Sequence, residues 1–158
     1  MLKNIKPYLI SVAISLFTGF FASLLTRGYM DIYSQITKPP LAPPSILFPI
    51  VWTVLYVLMG IGAAVVYNTR SITPKGSSKA LVIYALSLIL NFSWSIIFFR
   101  LRAFLAAFIC LLALLFSVIK TISSYMKVAP IAAYLQIPYA LWVAFAGYLN
   151  LAIYILNP

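Results

Sequence analysis

The chain has 158 residues, 65% of them hydrophobic and 8% charged, with eleven Lys and Arg set against one acid, Asp31, and no His. Without His or a second carboxylate there is no triad and no acid/base pair, and a single cysteine, Cys110, excludes an intrachain disulfide and leaves too few ligands for zinc, haem-thiolate or iron-sulfur centres. What remains for chemistry is aromatic, amide and hydroxyl groups, so no metal site is expected.

Five apolar runs of about 17 to 25 residues are each long enough to cross the ~30 Å hydrocarbon core as a helix. A transmembrane β-barrel would instead alternate apolar and polar residues in ~10-residue segments. The expected fold is therefore an all-α membrane protein, a five-helix bundle forming one domain over residues 1–158. A net charge of +10 in a soluble chain would point to nucleic acid. Here the basic residues sit at the ends of the apolar runs, within reach of lipid headgroups, so membrane lipid is the expected partner and nucleic acid is not.

Lys3 and Lys6 precede the first run, Tyr8 to Leu25, which exceeds the ~7 to 15 residues of a signal-peptide core and lacks a small-x-small site before Arg27. It is read as a retained first helix. The connection from Thr26 to Pro44 is the longest in the chain and carries Arg27, Asp31, Tyr33 and Lys38. Connections of this length are usually functional lids or disordered linkers, and Pro39, Pro40, Pro43 and Pro44 with an aromatic argue for order. The expectation is an ordered, proline-rich lid between helices 1 and 2. It feeds a second helix, Ser45 to Tyr67, in which Phe48, Trp52, Tyr56 and Met59 recur at helical spacing. Gly60, Gly62, Ala63 and Ala64 in that helix are small enough for close helix contact.

A polar turn region, Asn68 to Lys79, separates this helix from the third span, Ala80 to Phe99. Arg100-Leu101-Arg102 is so short a break that the third and fourth spans must be antiparallel neighbours. The fourth span runs from Ala103 to Ile119, and the fifth from Pro130 to Leu156, with Pro138 predicted to kink it. Ala106, Ala107, Ala113 and Gly147 are further candidates for helix contacts. Lys3, Lys6, Arg70, Lys75, Lys79, Lys120 and Lys127 fall on the side of the N-terminus, with Arg27, Lys38, Arg100 and Arg102 opposite. The positive-inside bias then predicts a cytoplasmic N-terminus and an external lid.

At ~1.5 Å rise per residue, Asn91 lies about 17 Å and Trp94 about 21 Å into the third span, with Trp52 about 10 Å below the lid and Trp142 near the midplane. Such depths argue against a simple interfacial aromatic belt. Asn91 and Trp94 share a helix face, with Ser95 at i+4. A buried amide either bonds to another helix or faces a pocket. The three tryptophans and Asn91 are expected to line one cavity beneath the lid. Val65 to Arg70 fits a sterol-contact pattern so permissive that chance is the better explanation, and no site is assigned there.

Four motifs carry a resemblance. They are Lys38-Pro39 through Pro43-Pro44; Val51-Trp52-x-x-Leu55-Tyr56-x-x-Met59-Gly60; Asn91-x-x-Trp94-Ser95-x-x-Phe98-Phe99; and Pro138-Tyr139-x-x-Trp142-x-x-Phe145 with Leu149-Asn150. In order and spacing the chain resembles the TspO/MBR family, the tryptophan-rich sensory proteins and the mitochondrial translocator or peripheral benzodiazepine receptor proteins. The resemblance implies a five-helix bundle, often homodimeric, with a pocket closed by the first loop. It implies binding of protoporphyrin IX or another tetrapyrrole, as ligand or substrate rather than resident cofactor, and of drug-like hydrophobic ligands. Carried over by motif, the ligand-binding residues are Tyr33, Pro43, Trp52, Tyr56, Asn91, Trp94, Cys110, Ala113, Trp142 and Ala146.

Light-dependent porphyrin degradation, reported for some bacterial relatives, would engage Trp52 and Trp142 as its catalytic residues. Two departures stand out: Ile32 replaces an aromatic that often precedes the lid tyrosine, and Tyr154 lacks the following basic residue of the animal sterol motif. The functional reading is a tetrapyrrole-binding sensor or regulator, with slow photodegradation as an enzymatic variant and transport of porphyrins or small hydrophobic solutes as the alternative. Five spans give no even inverted repeat and no buried acid to couple ion flow, which ranks transport last.

Overall fold

A computed structural model describes residues 5–158, so Lys3 of the charge count lies outside the described residues. The described chain forms α1 (Lys6–Thr26), α2 (Ile32–Gln35), α3 (Leu47–Asn68), α4 (Pro74–Ser95), α5 (Phe104–Met126) and α6 (Pro130–Leu156), with no strand among the described residues. Five of these, counting the short turns that extend α1, α3 and α4, are long and apolar enough to cross a membrane. The most extensive contacts are α5 with α6, α1 with α3, and α4 with α5, while α3 also packs on α6. α3 is thus central, meeting α1 on one side and α6 on the other.

Bilayer tails are as apolar as leucine, so close packing of small residues takes over the role that burial from water plays in soluble cores. Gly60, Gly62, Ala63 and Ala64 are all buried on α3, as their size predicts. A Cβ added at Gly60 would meet the α1 backbone, 2.5 Å from Val12 Cα and 2.9 Å from the Ser11 carbonyl oxygen. α1 and α3 can therefore touch main chain to main chain only because residue 60 has no side chain. On the opposite face, Gly62 admits Gln136 of α6, whose Nε2 donates to the Met59 carbonyl at 3.4 Å. Ala107 is fully buried, whereas Ala106 and Ala113 are exposed on α5 and a Cβ on Gly147 would touch nothing.

Helix boundaries differ from the expected spans by one or two residues for α1 and α3, and by more at the start of α4 and the end of α5. α4 begins at Pro74, six residues before Ala80, because a proline at the first helical position loses no intrahelical bond. Its polar first turns are held by buried Ser77, whose Oγ lies 3.3 Å from Thr69 Oγ1 and 3.2 Å from Thr73 Oγ1. α5 continues past Ile119 to Met126, since Thr121 and Tyr125 are buried against the bundle while Lys120 points outward. Hydropathy marks where a helix leaves hydrocarbon, and these helices continue beyond it.

α6 has the predicted bounds and runs unbroken through Pro138. α4 ends in a π-helical turn, Ile96–Arg100, closed by Leu101 N–H to the Ile96 carbonyl at 3.1 Å, and Arg102 then takes φ 53° to reverse the chain. The tight connection makes α4 and α5 antiparallel neighbours.

Candidate functional site: an aromatic layer beneath a tethered loop

The long connection is more regular than its proline content suggests. It contains a 3-10 turn, Arg27–Tyr29, and the single-turn α2 before passing into an extended proline segment at Ile36. Two ties fasten that segment to the end of α6. Asn157 Oδ1 accepts from the Thr37 N–H at 2.8 Å while its Nδ2 donates to the Thr37 carbonyl at 3.0 Å, and the Tyr148 hydroxyl donates to the Pro40 carbonyl at 2.8 Å. A third tie is internal, from the Tyr33 hydroxyl to the Pro43 carbonyl at 2.8 Å. Tyr33 is buried, Lys38 Nζ sits 4.8 Å from its ring centroid, and desolvation raises its phenol pKa above the usual value.

Beneath the loop the aromatic side chains form two adjoining clusters rather than the single cavity lining expected. In the first, Trp52 stacks on Tyr56 with centroids 5.6 Å apart and meets both Trp94 and Tyr139 at 6.1 Å. In the second, Phe48 stands edge-on between Tyr33 at 5.2 Å and Trp142 at 5.9 Å, and Trp142 continues to Phe145 at 5.6 Å. Trp142 also borders a groove of about 480 Å³ between α3 and α6, lined by Ile50, Val54 and Leu141 among others.

Polar groups fix the first cluster. Asn91, almost fully buried on α4, accepts from the Tyr56 hydroxyl at 2.7 Å and donates to the Tyr139 hydroxyl at 2.9 Å, joining α3, α4 and α6. The Trp94 indole N–H donates to Asn150 Oδ1 at 3.1 Å, and Asn150 Nδ2 in turn donates to the Phe104 carbonyl at 2.8 Å. Of the two meanings open to a buried amide, Asn91 has the interhelical one. Ser95 turns back to the Asn91 carbonyl at 3.4 Å instead of joining the layer. The second cluster differs in one respect: the Trp142 indole N–H is buried and makes no hydrogen bond to the protein. A buried, unpaired donor is costly, and the Tyr125 hydroxyl is the other side-chain group left in this state among the described residues.

Tyr33, Pro43, Trp52, Tyr56, Asn91, Trp94 and Trp142 are therefore brought together in one layer beneath or within the loop. Ala146 is buried in the adjoining core, one turn along α6 from Trp142. Cys110 is half-buried at the seam of α4 and α5, with Sγ 3.5 Å from the Leu90 carbonyl oxygen, and Ala113 is exposed on the outer surface of α5. Neither belongs to the layer in this arrangement. Phe48, Tyr139 and Asn150 do belong to it and were not among the candidate residues. Asn150 lies eleven residues, about three helical turns, after Tyr139 and so on the same face of α6, a spacing that could have found both.

A bundle of five apolar helices with an aromatic layer under a tethered interhelical loop defines a polytopic membrane protein. The chain belongs to the TspO/MBR family, whose profile matches residues 11–156. It is 34% identical over 159 aligned residues to the Tryptophan-rich protein TspO of Chlorobaculum tepidum, covering all of both chains, and 37% identical to that of Archaeoglobus fulgidus, covering 98% and 99%. It is also 35% identical to the Translocator protein of Bos taurus over 84% of this chain and 79% of the relative. The protein is an integral, multi-pass membrane protein of this sensory and translocator family.

Proposed function

We propose that the protein is a tetrapyrrole-binding sensor whose loop acts as a lid over the ligand. The observation that carries this reading is the buried Trp142 N–H without an acceptor, set between the Phe48 contact to the loop and the α3/α6 groove. A flat porphyrin lying between the loop and that groove offers an aromatic face to Trp142 and Phe145 and a polar edge to the indole N–H. Lys38, held over Tyr33 at the loop, is the cation available to a propionate. Burial of so large a ring contributes roughly 25 cal/mol per Å² before the costs of association. Separation of Tyr33 from Phe48 admits the ligand, and loop position reports occupancy to a partner. The N-terminus faces the cytoplasm, on the strength of Lys6, Arg70, Lys75, Lys79, Lys120 and Lys127 against Arg27, Lys38, Arg100 and Arg102. By resemblance to the family the working unit is a homodimer.

Tryptophan-fluorescence titration of detergent-purified protein with protoporphyrin IX in the dark tests the reading. Saturable quenching at micromolar ligand that weakens in Trp142→Phe is the expected result; linear quenching unchanged by the substitution overturns it. Illumination then separates sensor from enzyme. Light- and oxygen-dependent loss of bound porphyrin that disappears in Trp52→Phe or Trp142→Phe supports degradation by the indoles, whereas loss equal to that of free porphyrin in detergent leaves a sensor.

A further inference from the structure

A second chamber lies at the opposite end of the bundle, unconnected with the tetrapyrrole reading. It has a volume of about 610 Å³ and opens between the N-terminal half of α1, the end of α3 and the start of α4. Its walls are apolar, with Ile10, Ile14, Leu81 and Leu88 among them, and Lys6 and Arg70 stand at its mouth. Tyr84 also lines it, and its hydroxyl lies 2.5 Å from that of Ser15. A shallower groove of about 550 Å³ shares Ile14 and Leu88 and continues between α1 and α4 to Phe17, Phe21 and Phe92. From Lys6 to Phe21 the path is about 22 Å along α1, longer than the ~15 Å thickness of one leaflet's hydrocarbon. This apolar channel with a cationic entrance has the dimensions of a lipid tail and its headgroup.

The charge at the mouth is uncompensated. Asp31, the one acid of the chain, sits in the loop at the far end of α1, so no carboxylate side chain competes for the two cations. Arg70 is stacked flat on Tyr67, its Cζ 3.8 Å from the ring centroid. Stacking fixes the guanidinium by its face and leaves the N–H donors at its edge for a planar or tetrahedral anion. Asn68 and Ser71 add neutral hydrogen-bonding groups to the same entrance.

We infer that this channel binds one anionic phospholipid from the leaflet on the N-terminal side, with its phosphate at Lys6 and Arg70 and an acyl chain along the α1/α4 groove. A zwitterionic lipid brings its own cation to the same place and gains less. Each basic residue near a lipid surface is worth enough that losing both weakens retention by about thirtyfold.

The test is native mass spectrometry of the detergent-purified full chain titrated with phosphatidylglycerol or phosphatidylcholine. One phosphatidylglycerol per chain is retained, in preference to phosphatidylcholine. Retention falls about thirtyfold in Lys6→Gln/Arg70→Gln and is unchanged in the control pair Arg102→Gln/Lys127→Gln. All four residues are exposed, so helicity by circular dichroism stays the same. Ala85→Trp, which fills the chamber without altering charge, also lowers retention. Equal retention of the two lipids, or an equal loss in the control pair, overturns the inference. So does an Ala85→Trp chain that keeps its phosphatidylglycerol but changes from dimer to monomer, since the groove would then be covered by a second copy.

Discussion

Asn91 and Trp142 sit in the same layer and respond to substitution in opposite ways. Asn91→Ala strands the Tyr56 and Tyr139 hydroxyls in the bundle, and leaving a buried polar group unpaired costs about 1–3 kcal/mol. Thermal unfolding in detergent therefore shows a lowered midpoint, most of which returns in the triple variant Asn91→Leu/Tyr56→Phe/Tyr139→Phe, where no partner is left without its bond. Trp142→Phe removes a donor that is already unpaired, so stability changes by less than in Asn91→Ala while porphyrin affinity falls. Loss of binding in Asn91→Ala is accordingly a weaker test of the site than loss in Trp142→Phe. At Tyr33 the sign of the pH effect follows from burial. Its folded pKa is raised above the unfolded value near 10, so its contribution is complete below pH 10 and is lost as pH rises through the raised folded value. Ionisation also removes the proton donated to Pro43. Protection of loop amides relative to their intrinsic, base-catalysed exchange falls above pH 10 in the parent chain, and Tyr33→Phe shows lowered protection already at neutral pH.

Between elements, the tightest constraint is the α1/α3 contact at Gly60. A methyl there meets backbone that cannot rotate away, and overpacking of this kind costs about 1–3 kcal/mol. Gly60→Ala lowers the unfolding midpoint, whereas Gly147→Ala, which touches nothing, is neutral or gains up to about 1 kcal/mol of helix propensity. The same scale explains what could be read in the sequence. Long apolar runs, the Gly60-Gly62-Ala63-Ala64 cluster and the helical spacing of Phe48, Trp52, Tyr56 and Met59 announce spans and contact faces directly, because each depends on local composition. The starts and ends that were misplaced, Pro74 and Met126, depend on tertiary partners of Ser77, Thr121 and Tyr125 that hydropathy does not register. The site was legible as a set of aromatic and amide residues, but not as two clusters. Trp94 in the first cluster is bonded to Asn150 from 56 residues away, a pairing no single segment encodes.

For the whole molecule, the proposed cytoplasmic N-terminus is checked by accessibility labelling. In a Cys110→Ala background, Gln35→Cys reacts with a membrane-impermeant maleimide on intact cells and Ser78→Cys reacts only after permeabilisation; the reverse pattern inverts the topology. The ties between Thr37 and Asn157 bear on the order of assembly. The two partners lie 120 residues apart, one just after the first span and the other just beyond the fifth. During synthesis the first loop emerges early but cannot take its final form until the last helix has been inserted and brought alongside. Until then neither Tyr148 nor Asn157 is beside the loop, and the Tyr139 and Trp142 rings of the same helix are missing from the aromatic clusters, so loop and aromatic layer are completed by one and the same helix.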